Sequence, residues 1–139
     1  MTYNVLVRIS GVILLITCLF LPCRAAAEGV KVGEQKHADY RLLSGKWQRP
    51  DGGYILKLSD VGKDGKLRAE YFNPRSINVS KAEWRVMGDR IQVFAELRDI
   101  NYPGSTYTLI YLRQKDQLEG YYYQAATGQT FEIVFVRAQ

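Results

Sequence analysis

From residue 45 to residue 137 the chain passes through eight short segments of strand character, separated only by hairpin-length punctuation. The segments are 45–49, 54–59, 66–72, 77–86, 90–98, 106–113, 117–124 and 130–137. Their period is two: Leu67, Ala69 and Tyr71 alternate with Arg68 and Glu70, and Ile91, Val93, Ala95 and Leu97 alternate with Gln92, Glu96 and Arg98. Strands of this kind bury one face and wet the other. The connections Asp51-Gly52-Gly53, Lys63-Asp64-Gly65, Gly88-Asp89, Lys115-Asp116 and Thr127-Gly128 carry turn chemistry. No segment has the length and 3.6-residue period of a core helix. The pattern therefore predicts an all-β domain, an eight-stranded antiparallel up-and-down (meander) barrel.

The alternation also predicts which side chains fill that barrel: Trp47, Leu56, Leu58, Leu67, Tyr71, Trp84, Ile91, Val93, Leu97, Tyr107, Leu109, Tyr111, Tyr122, Phe131, Ile133 and Phe135. In the fourth strand the apolar parity switches from Ile77 and Val79 to Ala82, Trp84 and Val86, which requires a β-bulge or bend near Ser80-Lys81. Eight strands enclose a space that side chains can fill or that can hold one small ligand. Apolar residues of the opposite parity, Phe94, Ile110, Leu112, Tyr121, Tyr123, Val134 and Val136, fall on neighbouring strands five to eight and should form one outer wall. Such a wall needs a cover. The candidates are a second copy of the chain, as a homodimer through strands five to eight, and the protein's own 37–43 segment.

Residues 1–27 read separately. Arg8 precedes the 13-residue run GVILLITCLFLPC, from Gly11 to Cys23, which leads into Arg24-Ala25-Ala26-Ala27. This is the charged, apolar and small-residue order of a secretory signal peptide, and the run is shorter than the ~20 residues a membrane span requires. Cleavage after Ala27 would leave no membrane span and place the protein in the periplasm or outside the cell. Both cysteines lie inside this segment, so the exported domain folds without disulfides. Residues 28–44 form a leader whose HADYRLL stretch could make one helical turn or a short lid, and residues 45–139 form the barrel domain. Beyond the signal segment 17 basic side chains face 14 acidic ones, interspersed. That balance speaks for solubility and against nucleic acid as a partner.

In a meander, alternate loops share one end of the barrel. The odd loops hold the uncommon residues: Arg49-Pro50-Asp51, Asn73-Pro74-Arg75, the stretch from Asp99 to Ser105, and Gln124 to Gln129. The even loops hold ordinary solvated turns. Arg49, Asn73, Arg75, Asp99, Asn101, Tyr102 and Gln124 are accordingly the candidate ligand-binding residues, with Arg49 or Arg75 offering a donor fork to an anionic or carbonyl group and Tyr102 and Tyr122 supplying flat apolar surface. The alternative is that Asn-Pro and Tyr-Pro-Gly only form turns, and that the charged side chains only tie loops together. The run Tyr121-Tyr122-Tyr123 can stack a sugar or simply pack a strand. His37 is the only histidine and precedes the barrel, which argues against Ser-His-Asp chemistry and a His-based metal site. No catalytic set and no cofactor motif emerges.

Gly45-Lys46-Trp47 opens the first strand and Arg137 closes the last on the inward parity. This resembles the calycin arrangement of lipocalins and avidins, in which a G-x-W sits at the closed base under a basic side chain from the last strand. The resemblance implies that Trp47 plugs the base, that Arg137 packs across its indole, and that the odd loops surround the open end. The chain lacks the T-D-Y box and C-terminal helix of lipocalins and a recognisable set of avidin biotin ligands, so the resemblance implies a fold and no particular cargo. The wording YFNPR and ELRDINYPGSTY is also similar to a family of small secreted bacterial proteins. The expectation is a non-enzymatic binding module that takes a small polar or amphipathic molecule at the rim. A protein-interaction module, an inhibitor or envelope-assembly partner working through its loops or wall, is the alternative.

Overall fold

The computed structural model describes residues 39–139. Residues 1–38, which include the expected signal segment, 1–27, and most of the expected leader, lie outside the described residues. A short 3₁₀ helix, Tyr40–Leu43, precedes nine strands: β1 (Gly45–Gln48), β2 (Ile55–Ser59), β3 (Arg68–Asn73), β4 (Arg75–Ile77), β5 (Val79–Met87), β6 (Arg90–Asp99), β7 (Tyr102–Leu112), β8 (Gln117–Gln124) and β9 (Gln129–Arg137). They form one antiparallel sheet in the order β4-β3-β2-β1-β9-β8-β7-β6-β5, so the first and last strands meet in its middle. The two ends of the sheet approach each other through a bridge between Lys66 and Glu83 and through the Trp84 amide, which donates to the Gly65 carbonyl at 2.7 Å. The result is an up-and-down, nearly closed all-β barrel. No helix among the described residues is long and apolar enough to cross a membrane.

The strand count corrects the expectation of eight. The fourth segment is divided at Asn78: β4 pairs with β3 through Tyr71↔Ile77 and Asn73↔Arg75, whereas β5 pairs with β6 from Val79↔Leu97 to Met87↔Arg90. The register shifts between Val79 and Lys81, at the expected bulge. A second shift falls between Leu97 and Arg98, where β6 and β7 tighten into a hairpin. Asp99 accepts hydrogen bonds from the Asn78 and Ile100 amides, at 2.9 and 2.8 Å, and so ties the break in stave four to that hairpin.

Nearly all of the inward set is buried, with Trp47, Leu56, Val93, Leu97, Tyr107, Leu109 and Phe135 fully enclosed, joined by Leu43, Ala95 and Leu118. Two members depart from it: Tyr122 is half-buried and Phe131 is exposed, because parity sets the direction of a side chain and not its depth along the stave. Of the outer wall, Tyr121, Tyr123 and Val134 are exposed. The 3₁₀ helix does not cover that wall. It seals the base instead, with Leu43 in the core and the Tyr40 ring stacked on Trp84 at 4.7 Å.

At that base the Trp47 indole N–H donates to the Leu43 carbonyl at 2.9 Å, and the Arg137 guanidinium lies 4.1 Å from the Trp47 ring centroid. The same guanidinium donates to the carbonyls of Leu42 and Ser44 at 2.7 and 3.0 Å and to the Asp116 carboxylate. Asp116 also accepts from the Tyr111 hydroxyl at 2.9 Å. These bonds hold its carboxyl below the ordinary value of 3.8, the bond from Arg137 contributing most. Gly45 fits this corner because its φ is +144° and because a Cβ there would strike the Arg137 guanidinium.

Candidate functional site

The loops after β1, β3, β6 and β8 share the end of the barrel opposite this base. Between them lies a cleft of about 420 Å³ lined by Arg49, Asp51, Tyr54, Tyr71, Asn73, Asn101, Tyr102, Tyr122, Gln124, Phe131 and Glu132. Its volume falls in the range of small-molecule sites, roughly 300–1,000 Å³. Five of the seven candidate residues therefore come together: Arg49, Asn73, Asn101, Tyr102 and Gln124. Arg75 and Asp99 do not line the cleft. Arg75 opens β4 as an exposed side chain, and Asp99 spends its carboxylate on the amides of Asn78 and Ile100, which lower its pKa.

The floor is aromatic and dry. The Tyr71 and Tyr107 hydroxyls share a buried hydrogen bond of 2.9 Å, and Tyr107 stacks on Tyr122 at 4.7 Å and meets Phe135 edge-on at 5.4 Å. Burial pushes the Tyr107 phenol up to about 12, against the pull of the Tyr71 hydroxyl and Arg49, and pushes the Tyr71 phenol higher still. Both floor tyrosines are neutral under physiological conditions. Filled in this way, the barrel holds its cleft at the rim and not in its interior.

One wall of the cleft is built around Arg49. Its guanidinium lies 4.3 Å from the Tyr54 ring centroid, forms a two-pronged pair with Asp51, and is largely screened from solvent. Burial disfavours its charge, but Asp51 and the nearby Tyr107 hydroxyl outweigh that cost and raise its pKa; the bond from Arg49 in turn lowers that of Asp51. The pair is thus ionised on both sides and internally neutralised. Asn73 donates to the Tyr102 hydroxyl at 2.7 Å, so the end of β3 is fastened to the start of β7 while the Tyr102 O–H is left as a donor. Ser105, fully buried beside Gly104 with its φ of +98°, accepts from the Ala125 amide at 3.1 Å and fastens β7 to the loop after β8.

Sequence reasoning missed Tyr54, Phe131 and Glu132. Tyr54 reads as the first residue of a strand and Phe131 as core, yet each sits at the rim beside an odd loop, where an inward ring meets solvent. Their signal is position: an aromatic within two residues of an odd loop. Among the described residues no group of histidine, cysteine and carboxylate side chains could hold a metal ion. Comparison with protein-family models, with characterised proteins and with solved structures gives no match.

Proposed function

We propose that the chain is a non-enzymatic, calycin-like binding module, exported to the periplasm or secreted, that takes a small polar or amphipathic ligand at the open rim of the barrel. The observation that carries the reading is the rim cleft, which gathers amides, phenols and partly exposed rings from two loops and the rim ends of four strands above a buried aromatic floor. A binding site needs such convergent polar groups set in an apolar concavity. The charged groups in it also favour binding over catalysis: Asp51 is locked to Arg49, and the floor phenols are held neutral. The order of charged, apolar and small residues in 1–27 supports export.

Mass spectrometry of the protein purified from its own host under native conditions tests the reading. A retained small molecule should be lost from the Asn101→Ala variant while the thermal midpoint stays within about 2 °C, as for an exposed loop substitution. A fall in stability with unchanged retention would assign these loops a tying role. The exposed Tyr121, Tyr123 and Val134 favour a second reading, a protein contact through the barrel wall, which sedimentation velocity with and without Tyr121→Ser would reveal as a change in assembly.

A further inference from the structure

We infer that the rim cleft takes a neutral saccharide, with a sugar ring laid on Tyr122 and Phe131; this rests on the rim-binding reading above and narrows it to one ligand class. The charges make the first cut. Among the described residues Arg49 is the only cation lining the cleft, and the Nε–Nη2 side of its guanidinium is already paired with Asp51. An anion would have to share a guanidinium whose charge Asp51 already neutralises, and would face Glu132 as well. A cation would gain Glu132, but it would approach the Arg49 guanidinium, which already covers the Tyr54 ring. An uncharged ligand meets neither cost.

The remaining surface is what a polyhydroxylated ring needs. Tyr122 and Phe131 are near-parallel, with centroids 6.4 Å apart and planes 23° apart, and Phe131 is 42% exposed although its strand position faces inward. An aromatic face left open at the lip of a polar cleft suits the C–H face of a pyranose, which is flat and apolar while its edge is ringed by hydroxyls. Around that platform Asn101 carries a donor and an acceptor together, and Gln124, whose amide oxygen accepts from Thr127 at 3.2 Å, keeps its amide nitrogen. The Tyr102 phenol adds a further donor. Hydroxyl groups, which both give and accept, match this mixed set better than a carboxylate or an ammonium does.

Amide-resolved NMR titration of the purified protein with cellobiose, benzoate and choline, each at millimolar concentration, tests the inference. Cellobiose alone should move the amides of Asn101, Gln124 and Phe131, and Phe131→Ala should weaken that binding roughly tenfold, the scale of one lost aromatic contact. Asn101→Ala, in an exposed loop, gives an independent variant with the same expected direction. If benzoate or choline moves these amides and cellobiose does not, the saccharide inference is overturned while the rim remains a binding site. If no probe moves them, or shifts appear only on the outer wall at Ile110 and Val134, the inference and the rim reading fall together.

Discussion

The two ends of the barrel use the same three parts to opposite effect. At the base Arg137 lies on Trp47 and pairs with Asp116; at the rim Arg49 lies on Tyr54 and pairs with Asp51. The base arginine also reaches two main-chain carbonyls of the segment beneath it, and its indole is fully buried, so the motif closes the barrel. Among the described residues the rim arginine's side chain makes no bond to a main-chain carbonyl, its ring is half-buried, and its carboxylate is exposed. An arginine–aromatic–aspartate trio is therefore not in itself a site or a plug. What differs is whether the arginine also ties main chain to the ring beneath it.

The largest expected contrast is between the two rings. Trp47→Ala should cost ~3–5 kcal/mol in urea unfolding, the range for a buried large aromatic, whereas Tyr54→Ala should cost about 1 kcal/mol. Equal losses would break the comparison. Next comes alkali. The Tyr107 phenol titrates higher in the fold than in the open chain, so the folded form binds the proton more tightly, and its contribution is full below pH 10 and lost as pH rises through about 12. Phenolate absorbance should show a late-titrating class that merges with the rest on unfolding. Arg137→Lys, which keeps the charge but loses the fork, should cost about 1–2 kcal/mol, and the same change at Arg49 less.

Acid gives a smaller effect of opposite sign. The Asp116 carboxyl titrates below its ordinary 3.8, so its support is present above that value and is lost as pH falls below it. Asp116→Asn should flatten this part of the acid limb. Smallest of all, Phe131→Ala should change stability by about 0.5 kcal/mol, as expected for an exposed position, while weakening ligand binding roughly tenfold.

Much of this was legible in the residues because a period of two reports direction, and direction sorts Leu56, Val93, Leu109 and Ile133 into the core wherever the strand is paired. The switch of parity at Ser80-Lys81 likewise marked the bulge. Pairing itself was not legible: Ile77 and Val79 read as one strand, yet they hydrogen-bond to different neighbours, and nothing local distinguishes those partners. Depth was hidden for the same reason, so Phe131 was counted with the core. At the rim, turn chemistry located Arg49, Asn73 and Asn101, but Arg75 looked equivalent to Arg49 because the sequence does not show which arginine follows a strand into the cleft and which leads one away.

The pairing of β1 with β9 has a consequence for how fast this protein forms. Only two residue pairs, Trp47↔Arg137 and Gln48↔Val136, join those strands, and they bring together parts of the chain separated by nearly the whole domain. The hairpins from β5 to β9 are local, with long continuous registers, and loop-closure entropy favours assembling them first. Joining the first strand to the last is then the slow step, and neither the Trp47 plug nor the rim cleft exists until it is complete. The folding chain acquires its base and its mouth in the same event.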